Sequence, residues 1–329
     1  MACCAVVWGA VSSNLGCRSH APIHLWQPPQ LRSMDGEKLV LMDIAGPADT
    51  AAAIREELLA GAKPSAGGDR SSGAAASDAF TVLLPDELES RATIQLVSNR
   101  DQAPSDLAIA AAARRSGVRY LLRGEIMHAT GRSHSDQQLS VVWQLVGLDA
   151  AAGTHGLPIT VDQTSLQRRY PELMAVPDPT LRLHRAMARE TLGLIHESVV
   201  RQNVELANSY VTLGSAAVRR GNDLAALGNW PAAEDVWLQT LERYPLQTAA
   251  WINASIAAAA RQDFDLAKQR ITRAIRLSLL SPVQRHLAEE TLVWLELRQR
   301  DYLESFDLPD PADGWRVTHA SDSGPRSLR

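Results

Sequence analysis

The fold of the second half of this chain is decided by residues 214–247, GSAAVRRGNDLAALGNWPAAEDVWLQTLERYPLQ, and residues 248–281, TAAWINASIAAAARQDFDLAKQRITRAIRLSLLS. The two blocks have the same length and align without a gap. A small residue, Gly221 or Ser255, stands at the eighth place of each block, and alanine stands at the twentieth. A fixed period of this length predicts stacked helical hairpins.

Each block divides into two apolar-periodic segments of about a dozen residues, which are separated by a short polar turn. Asn229 is placed to cap the second helix of the first block, where Pro231 falls in the first turn and loses no hydrogen bond. Asp263 takes the capping place in the second block. Four large aromatic residues are spaced to fill the gap between successive hairpins: Trp230, Trp237, Trp251 and Phe264.

The pattern resembles the tetratricopeptide repeat over residues 214–281. A polar residue and then an aromatic one follow the first helix of each block, and a large apolar residue, Trp237 or Ile271, stands at the twenty-fourth place. Residues 286–305 look like a degenerate third repeat or a capping helix, because 300–302 echo the turn between the helices. The resemblance implies an all-α helical solenoid over residues 214–305 that binds a protein or peptide partner.

A partner groove is predicted on these repeats. Its lining residues are mostly small and apolar, which suits an amphipathic helix: Val218, Asn222, Ala225, Ala226, Ile252, Asn253, Ile256 and Ala260. In peptide-binding tetratricopeptide domains, asparagines at the places of Asn222 and Asn253 hold a ligand's C-terminal carboxylate with the help of a basic residue. Here Val218 stands where that base is expected, so carboxylate recognition is not predicted.

The N-terminal residues 1–17 read MACCAVVWGAVSSNLGC, an apolar signal-like segment too short to span a membrane as a helix. Leu15-Gly16-Cys17 resembles the end of a bacterial lipobox, which implies lipidation of Cys17. Asn14 and the absence of Lys or Arg before Cys17 depart from that pattern. The alternative is an apolar N-terminus of a cytosolic protein. Residues 18–35, polar and containing proline, are expected to be a tether.

Residues 36–165 show mixed strand and helix signals and predict an α/β sandwich of two or three layers. Strands are expected at 38–43, 80–84, 94–97, 118–128, 139–148 and 157–161. Helices are expected at 46–60 and 105–116, and the stretch 63–78 is expected to be a mobile low-complexity loop. Segments 118–128 and 139–148 form the predicted hairpin, joined by a polar turn at 130–136.

The run GVRYLLRGEIM at 117–127 follows an Ala-rich helix and precedes a strand that carries Trp143. This arrangement resembles the α/β domain of the curli-export and penicillin-binding-protein-activator group of outer-membrane lipoproteins. The resemblance implies an envelope lipoprotein and agrees with the lipobox-like Cys17. The long 63–78 loop departs from the group, and no segment resembles membrane-inserting hairpins, so pore formation is not implied.

The remaining boundaries follow from proline and from helical periodicity. Residues 166–179 predict a linker, and 180–213 a segment dominated by a long helix that runs from Thr180 to about Val200, with Asp178 as its N-cap. Pro282 is expected to begin a further helix. Residues 306–329 form a tail whose end is expected to be disordered.

Charge and motifs exclude several classes of function. The net charge of −4 gives no electrostatic indication of binding to nucleic acid or to acidic lipid. No paired acids, phosphate loop or nucleophile elbow is present, so no enzyme and no cofactor is predicted. His128, His134 and Asp136 flank one turn, and a surface turn, not a metal site, is predicted there.

Two hypotheses follow. The first is a non-enzymatic envelope lipoprotein, anchored on the periplasmic side through Cys17, that acts as a protein–protein scaffold; a subunit of a larger assembly is a variant of it. The second is a cytoplasmic adaptor, or an enzyme with a regulatory repeat module. Both hypotheses share one predicted fold class, an α+β multidomain protein with an N-terminal α/β sandwich followed by a tetratricopeptide-like helical solenoid.

Overall fold

The structure is a computed structural model, which describes residues 19–31, 37–62, 80–88, 105–130, 137–149, 154–312 and 314–315. Its contacts divide the chain into two compact units: residues 24–202 with 297–329, termed the α/β unit, and residues 1–23 with 203–296, termed the helical unit. The helices and strands in chain order are β1 (Ser19–Gln27), β2 (Lys38–Leu41), α1 (Ala48–Ala62), β3 (Thr81–Leu83), α2 (Asp106–Arg115), β4 (Tyr120–Thr130), β5 (Gln138–Gly147), β6 (Thr154–Asp162), α3 (Gln163–Arg169), α4 (Pro179–Ile195), β7 (Ser198–Leu206), α5 (Ser215–Ala226), α6 (Trp230–Arg243), α7 (Thr248–Ala260), α8 (Phe264–Leu277) and α9 (Pro282–Ser305).

The α/β unit is built on a five-stranded sheet with the order β3-β2-β4-β5-β6. Strand β2 runs parallel to β3 and β4, whereas β4, β5 and β6 form an antiparallel meander. The predicted hairpin and the edge strand near 157–161 are therefore confirmed. Strands β1 and β7 pair as a separate two-stranded sheet.

Helices cover both faces of the five-stranded sheet. Alternate residues of β2 point to opposite faces: Leu39 and Leu41 join the core beneath α1 and α4, and Val40 joins the core beneath α2. This mixed α/β architecture agrees with the predicted fold class of the N-terminal region. Helix α2 begins at the N-cap Ser105, whose Oγ accepts from Ala108 N, as its sequence predicts.

Trp143 lies across Gly124 at the centre of this sheet. The two residues are paired in the β4–β5 register, and the indole is fully buried. A Cβ atom at position 124 would come within 2.7 Å of Trp143 Cζ3. Glycine at 124 therefore leaves the space that the indole fills.

Gly124→Ala is expected to lower the free energy of unfolding of the α/β unit by about 1–3 kcal/mol, because the new methyl group overpacks the indole. Gly156→Ala on β6 is the matched control, since its Cβ would meet Trp143 O at an ordinary 3.6 Å. Urea unfolding of both variants measures the difference. An equal loss for the two would contradict the packing of Gly124 against Trp143.

The four helices predicted within residues 214–281 are present as α5 to α8. Helix α5 packs on α6, α6 on α7, and α7 on α8. The predicted caps are confirmed, because Asn229 Oδ1 accepts from Ala232 N at 3.3 Å and Asp263 Oδ1 accepts from Leu266 N at 3.1 Å. Trp237 is fully buried and Phe264 nearly so, whereas Trp230 and Trp251 are half-buried.

The predicted tether and linker are wrong as structural descriptions. Residues 19–27 of the tether form β1, whose alternate residues Ala21, Ile23 and Leu25 are buried. The linker contains the end of α3 and a short 3₁₀ turn, and Leu166 and Leu173 anchor these in the core. Buried apolar side chains thus pack both segments into the fold.

Two helix boundaries also differ from the prediction. Helix α4 begins after its N-cap Asp178, as expected, but it ends at Ile195 instead of Val200, and the following β-branched Val199 and Val200 belong to β7. Helix α9 continues through 300–302, where an inter-helix turn was predicted, because no Gly or Pro interrupts it after Pro282.

Candidate functional site

The predicted groove residues of the helical unit are mostly buried. Val218, Ala225, Ile252, Asn253 and Ile256 are fully buried. Asn222 is 3 % exposed. Of the eight predicted residues, Ala226 is exposed and Ala260 is half-buried. An open partner groove was predicted here, and that prediction is wrong, because most of the lining residues are buried within the unit.

A segment of the same unit lies against the two asparagines. Asn253 Oδ1 accepts from the backbone N–H of Ala207 at 2.7 Å, and Asn253 Nδ2 donates to the carbonyl of Ala207 at 3.0 Å. Ala207 is 1 % exposed. Asn253 thus satisfies both backbone polar groups of a buried residue that follows the end of β7.

Asn222 completes this arrangement from the neighbouring helix. Its Nδ2 lies 3.1 Å from the carbonyl oxygen of Ala207 and 2.8 Å from Asn208 Oδ1, while its Oδ1 accepts from Asn253 Nδ2 at 2.7 Å. The amide pair joins α5 to α7 and holds the backbone of Ala207 between them. All these groups are uncharged, which suits a peptide bond and not a carboxylate.

The residues that follow Asn208 are fixed by a second amide. Gln247, which precedes α7, is 4 % exposed. Its Nε2 lies 2.7 Å from Thr212 Oγ1 and 2.9 Å from the carbonyl oxygen of Leu213. We term residues 204–208 the resident segment and 209–213 the apolar loop.

Sequence reasoning selected Asn222 and Asn253 as partners of a peptide but missed their ligand. Ala207 is separated from Asn253 by 46 positions, and nothing in its own sequence context marks it. Gln247 was also missed. The signal that could have found these contacts is the position of Asn222 and Asn253 on apolar faces of the predicted helices and of Gln247 just before one of them. A buried amide side chain there must find hydrogen-bond partners.

The α/β unit contains a separate cavity of about 650 Å³. Its polar wall includes Arg169, Tyr170, Arg189 and Glu190, with Glu172 at one side. Arg169 Nη1 lies 2.6 Å from Glu190 Oε1, which also accepts from the Tyr170 hydroxyl at 3.1 Å. Arg189 pairs with Glu172, and its guanidinium lies 5.4 Å from the centroid of the Tyr170 ring.

The electrostatics of this wall favour a structural role. Burial, and then the neighbouring Glu190 carboxylate, raise the pKa of Tyr170, so its phenol stays protonated and donates to that carboxylate. The opposite charges on the wall neutralise one another, so it offers no excess charge to select an ionic ligand. The cavity has room for a small polar molecule but no evident chemical preference.

Several predicted residues lie outside the described residues. They include Cys17, His134, Asp136, the 63–78 loop, the 94–97 strand and the end of the tail. Among the residues that the structure describes, no three His, Cys, Asp or Glu side chains form a group suited to a metal ion. Within the same ranges, no helix is both long and apolar enough to cross a membrane.

No protein-family model matches the chain, and no curated protein matches it. Among the solved structures that are similar to part of the chain are two of the PelC dodecamer from Paraburkholderia phytofirmans. A single-residue variant of PelC is 13% identical with a TM-score of 0.27, and the match covers 54% of this chain and 97% of that one. A second crystal form is 12% identical with the same TM-score of 0.27, and that match covers 53% of this chain and 96% of the other. At this TM-score the likeness carries no conclusion about fold or function.

Proposed function

We propose that this chain is a non-enzymatic lipoprotein of the bacterial cell envelope that acts as a protein–protein interaction scaffold through its tetratricopeptide-like repeats. The proposal rests mainly on the hydrogen bonds that the side chains of Asn222 and Asn253 make with the backbone of Ala207. Amide side chains that satisfy both polar groups of one peptide residue form a binding element for extended chain. The repeat pattern of 214–281 and the stacked hairpins α5 to α8 support the same reading.

In this proposal the groove is a peptide site whose resident ligand is residues 204–208 of the same chain. A partner segment engages the helical unit either by replacing that ligand or by extending along the exposed edge near Ala226. The recognition is by shape and backbone hydrogen bonds. A partner therefore needs a small residue at the place that Ala207 takes, because Ala207 is almost completely enclosed.

Site-directed photo-crosslinking in living cells tests the scaffold. A photoreactive residue at Ala226 is expected to capture a defined partner protein, while the same residue at the exposed Asp265 on α8 captures none. Both positions lie on the helical unit, so the comparison controls for expression and folding. If the crosslinks formed at Ala226 and at Asp265 were equal and at background level, there would be no partner surface at this edge.

The lipid anchor is tested separately. Cys17→Ser is expected to abolish incorporation of a radioactive fatty acid and to release the protein from the membrane fraction, because the thiol of Cys17 is the acylated group in the proposal. Cys3→Ser with Cys4→Ser is the matched control and keeps the label. If the wild-type protein carries no label and retains residues 1–17 by N-terminal mass analysis, the alternative, a cytoplasmic adaptor or an enzyme with a regulatory repeat module, takes its place.

A further inference from the structure

A cluster of large apolar side chains on the helical unit is exposed to solvent. Val211 is 97 % exposed and Leu213 75 %, and both belong to the apolar loop. Leu246, in the turn between α6 and α7, is 74 % exposed. Single exposed apolar residues are ordinary, whereas a group of neighbouring ones marks an interaction surface. We term five exposed residues the apolar rim: Tyr210, Val211, Leu213, Tyr244 and Leu246.

The two parts of the rim lie side by side and are fixed in place. A Cβ atom at Gly214 would lie 2.8 Å from Tyr244 Cδ2, so the end of the apolar loop packs against the α6–α7 turn. The Nε2 of Gln247 donates to Thr212 Oγ1 and to the carbonyl of Leu213. The loop is thus tied down through its polar groups while its apolar side chains face solvent. A partner that binds here needs to order little additional chain.

Two arginines border the tyrosines of the rim. The Arg219 guanidinium lies 5.5 Å from the centroid of the Tyr210 ring, and its Nη1 donates to the carbonyl of Ser209. Arg243 is exposed and directly precedes Tyr244 at the end of α6. Arginine next to an aromatic ring is a common arrangement at protein interfaces.

A third arginine lies on the side of Leu246. The Arg273 guanidinium is 5.8 Å from the centroid of the Trp251 ring, and Trp251 Nε1 donates to the backbone carbonyl that precedes Leu246. Among the residues of the helical unit that the structure describes, no carboxylate forms an ion pair with Arg219, Arg243 or Arg273. The border of the rim therefore carries positive charge that the fold does not neutralise.

This local charge is opposite in sign to that of the whole chain, whose net charge is −4. The two segments that form the rim, 209–214 and 242–247, contain a single acid, Glu242, and the three arginines outweigh it. Tyrosine, tryptophan and arginine are also the residues that contribute most to binding between proteins. The surface is therefore complementary to a protein segment that has an apolar face and carboxylate side chains beside it.

We propose that the apolar rim binds an acidic amphipathic segment of a partner protein. This inference rests on the proposed scaffold function and names the chemistry of the partner. Apolar side chains of the segment cover Val211, Leu213 and Leu246, and its carboxylates pair with Arg243 and Arg273. The rim begins two residues after the resident segment, so a partner bound there gains contacts next to the groove without displacing residues 204–208.

Selection from a random peptide library on the purified full chain tests the proposal. The displayed peptides have about 16 residues, or about four helical turns. Enriched peptides are expected to combine Asp and Glu with apolar residues at helical spacing. Val211→Ser with Leu213→Ser is expected to weaken their binding about tenfold, because the apolar contact is lost. Arg243→Gln with Arg273→Gln is expected to weaken it about fivefold at low salt, a loss that high salt removes by screening.

Leu227→Ser is the matched control, because Leu227 is 82 % exposed but follows the other end of α5, outside the rim. It is expected to leave the Kd of the enriched peptides unchanged. The side chains replaced in the two double variants are all exposed, so the melting temperatures are expected to match that of the unsubstituted protein. Matching temperatures separate a loss of binding from a loss of fold.

The other outcomes overturn the proposal. If no peptide is enriched, or if both double variants bind the enriched peptides as tightly as the original chain, the rim is not a docking surface. Enriched peptides without acidic residues would remove the charge complementarity. Binding to pure vesicles of phosphatidylethanolamine and phosphatidylglycerol that Val211→Ser abolishes would assign the rim to lipid. A doubled mass by light scattering that Val211→Ser abolishes would assign it to a second copy of this chain.

Failure of this inference and failure of the proposed scaffold can be told apart. The peptide selection reports on the rim of the purified chain, whereas crosslinking at Ala226 reports on a partner in the cell. Peptides bound at the rim without a captured partner at Ala226 would keep the rim and remove that edge. A partner captured at Ala226 without peptides at the rim would keep the scaffold and remove this inference.

Discussion

Trp237→Ala is expected to lower the free energy of unfolding of the helical unit by about 3–5 kcal/mol, which makes it one of the most damaging single substitutions in the chain. The indole is fully buried between α5 and α6, and its Nε1 donates to the carbonyl of Val218 at 3.2 Å. Truncation leaves a cavity that the surrounding helices close only in part. Urea unfolding followed by circular dichroism at helical wavelengths measures the loss.

Gly221 supplies the internal control for this prediction. A Cβ atom at 221 would lie 2.2 Å from Trp237 Nε1, so Gly221→Ala alone is expected to cost about 1–3 kcal/mol through overpacking. In the Trp237→Ala background the same change meets a cavity, and its cost is expected to disappear. Strictly additive effects in this double-mutant cycle would show that Gly221 and Trp237 do not pack as described.

Asn253→Ala is expected to lower the free energy of unfolding by about 2–6 kcal/mol, since it leaves two buried polar groups without their partner at about 1–3 kcal/mol each. Those groups are the backbone N–H of Ala207 and Oδ1 of Asn222. Hydrogen exchange at the Ala207 amide should become faster in the variant, because its acceptor is gone. This local readout separates the loss of the resident segment from a general loss of stability.

Asn203→Ala is the matched control for that experiment. Asn203 belongs to β7, close to the resident segment, but its side chain is exposed. Its replacement is expected to change the free energy of unfolding by no more than about 0.5 kcal/mol. A similar loss for Asn203→Ala and Asn253→Ala, or unchanged exchange at Ala207, would mean that the asparagine pair does not hold the segment.

The helices of residues 214–281 could be predicted closely because their signals are local. Asn229 and Asp263 cap the helices that follow them, and the small residue Gly221 faces the large residue Trp237 across one hairpin. The hairpin of β4 and β5 was predictable for the same reason, since two long apolar runs stand on either side of a polar turn. Neighbouring residues in sequence suffice to determine such elements.

Strands β1 and β7 were missed because their signals are weak and their pairing is distant in sequence. The alternation of Ala21, Ile23 and Leu25 was present in the sequence, but histidines and a proline surround it. The candidate site shows the same limit. Asn222 and Asn253 were selected from their places in the repeat, whereas their ligand Ala207 is determined by tertiary packing that no local pattern records.

The resident segment is covalently joined to the groove that it occupies, so any free peptide must compete with it for the same hydrogen bonds. A tethered segment acts at an effective concentration on the order of millimolar, so a free peptide with the same backbone groups must overcome that local excess. A peptide with a micromolar intrinsic Kd would bind about a thousandfold more weakly in its presence. In the proposed scaffold, a partner that presents only a short extended segment would therefore be rejected, and the groove would open only to a protein that gains further contacts outside residues 204–208.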